Sequence, residues 1–101
     1  MQSQASPGPL MLAVGQALSC KVRLSLLLQL AVDGATVSEL VQHTGTSQSN
    51  VSNHLGMLRE VGLVSSQRNG RTVRYELASA EVGALIRALV AVADSDLKPA
   101  K

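Results

Sequence analysis

The sequence predicts a mainly α-helical domain with one β-hairpin, and three observations carry that reading. Of its 101 residues 46% are apolar, yet Trp and Phe are missing and Tyr75 is the one aromatic residue. The core is therefore Leu, Val and Ala, which favours helices. Residues 36–58 hold two amphipathic stretches split by Gly45 at the spacing of helix, turn, helix. Asn69-Gly70 stands between two runs of strand-like alternation, a strong hairpin signal.

Residues 1–9, with Pro7, Gly8 and Pro9 together, read as a mobile arm. Residues 10–18 read as a short apolar helix interrupted by Gly15. Ser19 is placed to cap the next helix, residues 20–31. There Val22, Leu24, Leu26, Leu27, Leu28 and Leu30 surround most of the axis. A helix apolar nearly all round is a buried one, so this is expected to be the central core helix. Asp33-Gly34 is its stop and turn.

Thr36 and Glu39 then form a capping box, the hydroxyl accepting from the third helical N–H and the carboxylate reaching back. Val37, Leu40 and Val41 follow at helical spacing, and Gly45 ends the helix. Ser47 caps the next, with Val51, Leu55 and Leu58 as its buried face and Gly62 as its end. Residues 63–68 and 71–77 read as strands joined at Asn69-Gly70, which suits a type I′ turn. In the second strand Val73, Tyr75 and Leu77 alternate with Thr72, Arg74 and Glu76. Ser79 caps a last helix, residues 80–94, whose apolar stripe is Val82, Leu85, Ile86, Leu89, Val90 and Ala93. Residues 10–95 make one domain, followed by a tail at 96–101.

Composition narrows the function. A lone cysteine, Cys20, rules out an intrachain disulfide and a CxxC zinc site. The N-terminal stretch lacks the basic-then-apolar pattern of a secretory signal, and no apolar run approaches a membrane span. A cytoplasmic protein with no membrane partner is expected. No carboxylate pair, Gly-rich phosphate loop or His-Glu cluster supports an enzyme.

Net charge is only +2, so its distribution is more telling than its size. No charge falls between Glu39 and Arg59, and the outer face of the second helix of the pair holds Gln48, Ser49, Asn50, Ser52, Asn53 and His54. A merely solvated face usually carries Glu and Lys. A neutral face of hydrogen-bonding groups suits base edges beside phosphates. Gln48 and Asn50 are the expected base readers, because a side-chain amide offers adenine a donor and an acceptor. Ser47 and Ser49, Ser52 and Asn53 complete the expected contacts. Arg68, Arg71 and Arg74 lie on or beside the hairpin tip with no acid between Glu60 and Glu76. They point to phosphate contact, against the plainer reading of a solubilising run that protects a sheet edge.

Helix, helix, helix-turn-helix, hairpin, helix is a winged helix-turn-helix arrangement. The block SQSNVSNHLGMLREVGLVSSQRNGRTVRYEL, residues 47–77, resembles the ArsR/SmtB family of small bacterial repressors. The resemblance covers residues 10–94. It implies a homodimer paired through its first and last helices, double-stranded operator DNA as partner, and an arginine-bearing wing on phosphates or in the minor groove. His54 matches the histidine of the family's recognition helix, which implies an orienting or phosphate-contacting role.

The resemblance also implies an effector, commonly a metal ion, and here the chain departs from the family pattern. The family's cysteine site would fall near Thr36 and Ser38, and neither is a thiol. Its last-helix site would fall at Ser79, Glu81, Val92 and Ser95, where only Glu81 is a good ligand. Neither usual site is expected to be intact. Three options follow. A nitrogen/oxygen site from His43, Glu81, Asp94, Asp96 or the arm would suit nickel, cobalt or zinc. Cys20, at a helix start beside Lys21 and Arg23, would be a redox sensor, or simply a buried inert thiol. A partner protein would supply the effector response to a DNA-binding subunit. The reading from another class is a winged helix used only for protein interaction or dimerisation, which needs neither the arginine wing nor the neutral helix face.

Overall fold

The computed structural model describes residues 6–95, in the order α1 (Pro9–Leu18), α2 (Lys21–Val32), β1 (Ala35–Thr36), α3 (Val37–Thr44), α4 (Gln48–Val61), β2 (Val64–Asn69), β3 (Thr72–Leu77) and α5 (Ala80–Ala93). α1 starts at Pro9, one residue before the expected boundary. Proline suits the first helical position because its missing N–H would have no partner there.

α2 is the central helix, as its sequence requires. Leu26 and Leu27 are fully buried and Leu30 nearly so. Around them pack Ala17 of α1, Leu40 of α3, Val51, Leu55 and Leu58 of α4, and Val82 and Ile86 of α5. Each fully buried leucine contributes about 1.5–3 kcal/mol relative to leaving it in water. Leu28 departs from the expected all-round burial, being 39% exposed. No single helix among the described residues is long and apolar enough to cross a membrane.

The capping box forms in full: the Thr36 N–H donates to Glu39 Oε1 at 2.9 Å and the Glu39 N–H to Thr36 Oγ1 at 3.3 Å. α3 and α4 both end in left-handed glycines, Gly45 and Gly62. Ser19 corrects the sequence reading. It closes α1 rather than opening α2, with its hydroxyl donating to the Gln16 carbonyl at 2.8 Å, and Cys20 takes the N-cap position of α2.

Strands β2 and β3 form the hairpin, and β1 adds to its free edge, giving the antiparallel order β1-β3-β2. Ala35 lies opposite Tyr75 and Thr36 opposite Arg74. The turn differs from the one expected. Asn69 pairs with Thr72, so the loop residues are Gly70 and Arg71. Gly70 has φ of 67° while no non-glycine residue has positive φ. That is the sign pattern of a type II′ turn, glycine first, and not of type I′, which needs two positive φ angles. The shift of one residue puts Arg71 at the wing's tip.

Candidate nucleic-acid interface

α4 is held at its start by two hydrogen bonds that fix the preceding turn. Ser47 Oγ accepts from the Asn50 N–H at 3.1 Å, and the Asn50 side-chain amide donates to Thr46 Oγ1 at 2.8 Å. The cap alone stabilises the helix by about 1 kcal/mol. Arg59 and Glu60 are exposed in the last turn of the helix, and with Val51, Leu55 and Leu58 locked in the core the residues left outward before them are Gln48, Ser49, Ser52, Asn53 and Gly56. They recur at i, i+1, i+4, i+5 and i+8, a continuous strip along one side of the helix. No side chain in the strip is charged, and Gly56 leaves its far end bare: a Cβ there would meet nothing within 4 Å.

The expected contact residues therefore divide. Gln48, Ser49, Ser52 and Asn53 lie on the outer strip. Ser47 is exposed but works as the cap, its hydroxyl 3.4 Å from that of Ser49. Asn50 is half-buried, with part of its amide committed to Thr46, so it serves the turn. His54 is half-buried too, and its Nδ1 lies 3.4 Å from the Arg23 guanidinium, turned toward the scaffold.

The wing divides in the same way. Arg71 is exposed at the tip and makes no hydrogen bond among the described residues. Arg68 is exposed and leans back on the turn, 3.5 Å from the Gly70 carbonyl. Arg74 lies on the opposite face of the hairpin from Arg68, two pairs back from the tip, and is paired with Asp33 at 3.3 Å. With the partners 42% and 78% exposed, that pair contributes only about 0–1 kcal/mol. Sequence reasoning missed Arg59, in the last turn of α4, which donates to Ser66 Oγ at 3.0 Å and ties the wing to the helix. Its signal, a lone cation just past an uncharged stretch, does not identify a partner seven residues away.

A profile of the bacterial regulatory proteins of the arsR family matches residues 20–66. The chain is 39% identical over 87 residues to the HTH-type transcriptional regulator CmtR of Mycobacterium tuberculosis, covering 82% of this chain and 73% of CmtR. The chain belongs to the arsR family.

Solved structures of arsR-like regulators share its fold. HlyU from Vibrio cholerae superposes with a TM-score of 0.77 at 35% identity, over 82% of this chain and 90% of HlyU. The homodimeric winged helix-turn-helix DNA-binding domain Mb0332 from Mycobacterium bovis gives 0.80 at 28% identity, over 90% and 91%. The arsR relatives are transcriptional regulators and not enzymes.

CmtR's solved form is that of a cadmium metal-sensor, with a TM-score of 0.70 at 35% identity over 89% of this chain and 96% of that one. Cadmium prefers thiolates, and this arsR-family chain has only Cys20. The nitrogen/oxygen candidates do not gather either. His43 is in the last turn of α3, while Glu81 and Asp94 stand at opposite ends of α5. Thirteen residues of helix separate the latter two by roughly 20 Å, too far to share an ion within one protomer. Ser79 is occupied as the α5 cap. Asp96 and residues 1–5 of the arm lie outside the described residues. Among the described residues no three His, Cys, Asp or Glu side chains are grouped as a metal site.

Cys20 is partly exposed. Its thiol pKa is lowered, first by the backbone N–H of Arg23, against a smaller opposing effect of burial. Cys20 makes no side-chain cap hydrogen bond, and its place at a helix N-terminus favours the thiolate.

Proposed function

We propose that this chain is a sequence-specific, homodimeric DNA-binding regulator that reads operator bases with Gln48, Ser49, Ser52 and Asn53 and holds phosphates with Arg68 and Arg71. The observation that carries the reading is the uncharged exposed strip on α4, in a helix capped at both ends and braced to an arginine-tipped hairpin. A neutral donor/acceptor surface loses nothing to like-charge repulsion when it enters a groove, and its amides match base edges. The arginines supply the sequence-independent attraction. Arg74, paired with Asp33, and Asn50 and His54, turned inward, support the readers. Ser47 contributes through its cap.

The dimer is supported by a second surface. Leu10, Met11 and Leu12 of α1 are 67%, 67% and 56% exposed, and Val90 and Val92 of α5 are 41% and 54% exposed. Burying these against a second copy would remove a large apolar area from water. Mb0332 is a homodimer of the same fold. Two-fold symmetry places two recognition helices about one DNA turn, ~34 Å, apart on a near-palindromic site. A cytoplasmic location fits this role.

A response to nickel, zinc or cobalt is also proposed. CmtR's sensing supports it. The separation of Glu81 from Asp94 favours a site shared between protomers, or an effector response supplied by a partner protein. The sign of regulation differs among relatives: HlyU is an activator and the Mycobacterium tuberculosis SmtB a repressor.

The test is enrichment of duplexes by the purified protein from a randomised library, followed by affinity measurement across a salt series. A recurring near-palindrome whose binding weakens steeply with salt is expected. Recovery of no preferred sequence, with no salt-dependent binding, would leave the protein-interaction module as the reading. Nickel and zinc titration calorimetry of the same preparation tests the metal response.

A further inference from the structure

The guanidinium of Arg23 is the junction of three helices. Its Nε donates to the Ala17 carbonyl at 3.0 Å and its Nη2 to the Gln16 carbonyl at 2.9 Å. Both acceptors are in the last turn of α1, and the Gln16 carbonyl also accepts from the Ser19 N–H at 3.1 Å and the Ser19 hydroxyl at 2.8 Å. α1 has no basic residue of its own there, so Arg23 supplies from α2 the cation that favours a helix C-terminus. The third arm, Nη1, lies 3.4 Å from Nδ1 of His54 on α4. α1 and α2 both pack on α4, and Arg23 is half-buried among them. A half-buried arginine fixed by two carbonyls is a rigid spacer. Its planar fork holds three directions in one rigid plane, which the compact, rotatable ammonium of lysine does not.

His54 is set by the same contact. A guanidinium only donates, so a hydrogen bond here requires Nδ1 to accept and the ring proton to be on Nε2. His54 lies between Val51 and Leu58, both fully buried, and directly follows Asn53 of the outer strip. The chain of contacts runs from the end of α1 through Arg23 and His54 to the reading face of α4. α1 also carries the exposed leucines and methionine of the association surface.

We propose that Arg23 is a positioning residue for DNA binding: acting through His54, it holds α1 against α4 and thereby sets the separation of the two recognition helices across the dimer. This rests on the DNA-binding, dimeric reading above. It adds a residue with no expected DNA contact whose loss alters which half-site spacings are bound. Without it each protomer still reads its half-site, but the distance between the two readers is no longer fixed.

The experiment uses a duplex enriched by the wild-type protein, a set of the same duplex with the two half-sites moved one or two base pairs closer or further apart, and a single half-site. Wild type is expected to bind one spacing at least about tenfold better than its neighbours. Arg23→Ala and Arg23→Lys are expected to flatten that preference to within about threefold, while half-site affinity and salt dependence stay within about twofold of wild type. His54→Ala is expected to flatten it likewise, and the double variant Arg23→Ala/His54→Ala to add nothing further, as for two links in series. A folded, dimeric Arg23→Ala protein that keeps the wild-type spacing preference would overturn the proposal. So would a loss equal on half-site and full site. Should Arg23→Ala fail to fold, Arg23→Lys and the 15N spectrum of His54 in the wild-type protein decide. An Nε2-protonated neutral ring supports the contact, and an Nδ1-protonated one overturns it. Failure of the wild-type protein to enrich any duplex would be a failure of the DNA-binding reading, seen before any variant is made.

Discussion

The outward surface of α4 and the outward surfaces of α1 and α5 are opposite solutions to having an unburied face. On α4 the strip of Gln48, Ser49, Ser52, Asn53 and Gly56 is polar, uncharged and fixed by caps at both ends. On α1 and α5 the exposed large apolar residues are Leu10, Met11, Leu12, Val90 and Val92, beside the exposed Gln16, Glu81 and Arg87. The cleft between α2 and α5, about 550 Å³ and lined by Leu28, Val32, His43, Arg87 and Val90 among others, has no lining residue from α4 or the wing. One surface withholds charge where a polyanion is to come close, and the other gathers large apolar side chains where a second copy is to dock. The difference teaches that the absence of Glu and Lys has two meanings, and that the residues replacing them tell which applies.

Breaking the apolar side is expected to have the largest effect. Val90→Glu, and independently Leu12→Glu, would bury a charge in the association surface. Each is expected to weaken dimerisation by about a hundredfold or more, read by sedimentation, and full-site DNA affinity should fall with it. A dimer unchanged by both would move the association surface elsewhere.

On the polar side the two kinds of contact separate by their signatures. Gln48→Ala or Asn53→Ala should cost about 1–3 kcal/mol of discrimination at particular base pairs. Arg71→Ala should weaken all sequences alike and reduce the salt slope by about one. Library selections repeated on the variants would show the pattern, and an altered preference from Arg71→Ala would mean that the wing reads sequence.

Gly56→Ala sharpens the comparison further because its two effects have opposite signs. Nothing in the protein needs the glycine, so alanine should stabilise the fold by up to about 1 kcal/mol in urea melts. If the strip faces DNA closely along its length, the same change should weaken binding. A gain in both stability and affinity would place the far end of the strip outside the interface.

Smaller effects belong to the scaffold. Asp33→Asn removes an exposed ion pair and should change stability by less than about 0.5 kcal/mol, leaving Arg74 free. At Cys20 the lowered pKa puts thiolate in solution at a lower pH than for an ordinary thiol. Alkylation should therefore begin at lower pH than in a denatured control, and an equal pH profile would contradict the role of the Arg23 N–H.

The parts legible in the sequence are those fixed by neighbours in the chain. Thr36 with Glu39, Ser47 before α4 and Ser79 before α5 each satisfy a nearby N–H, and all three caps form. The turn at Asn69-Gly70 was legible as a turn, but its frame was set by pairing Asn69 with Thr72 across the hairpin. β1 is two residues long and exists only because β3 offers an edge. Arg23 and Arg59 were invisible for the same reason: their partners lie on other elements, His54 being 31 positions away. Asn50 shows the reverse case. Its type suits adenine, yet Thr46 stands one helical turn back and takes its amide.

The most direct test of the account is an NMR titration of the 15N-labelled protein with the duplex it selects. The account predicts that the largest shifts fall on Gln48, Ser49, Ser52, Asn53 and Gly56 of α4 and on Gly70 and Arg71 of the wing. Unmoved amides along that strip, with shifts gathered instead on Leu28, Val32 and Val90, would contradict it.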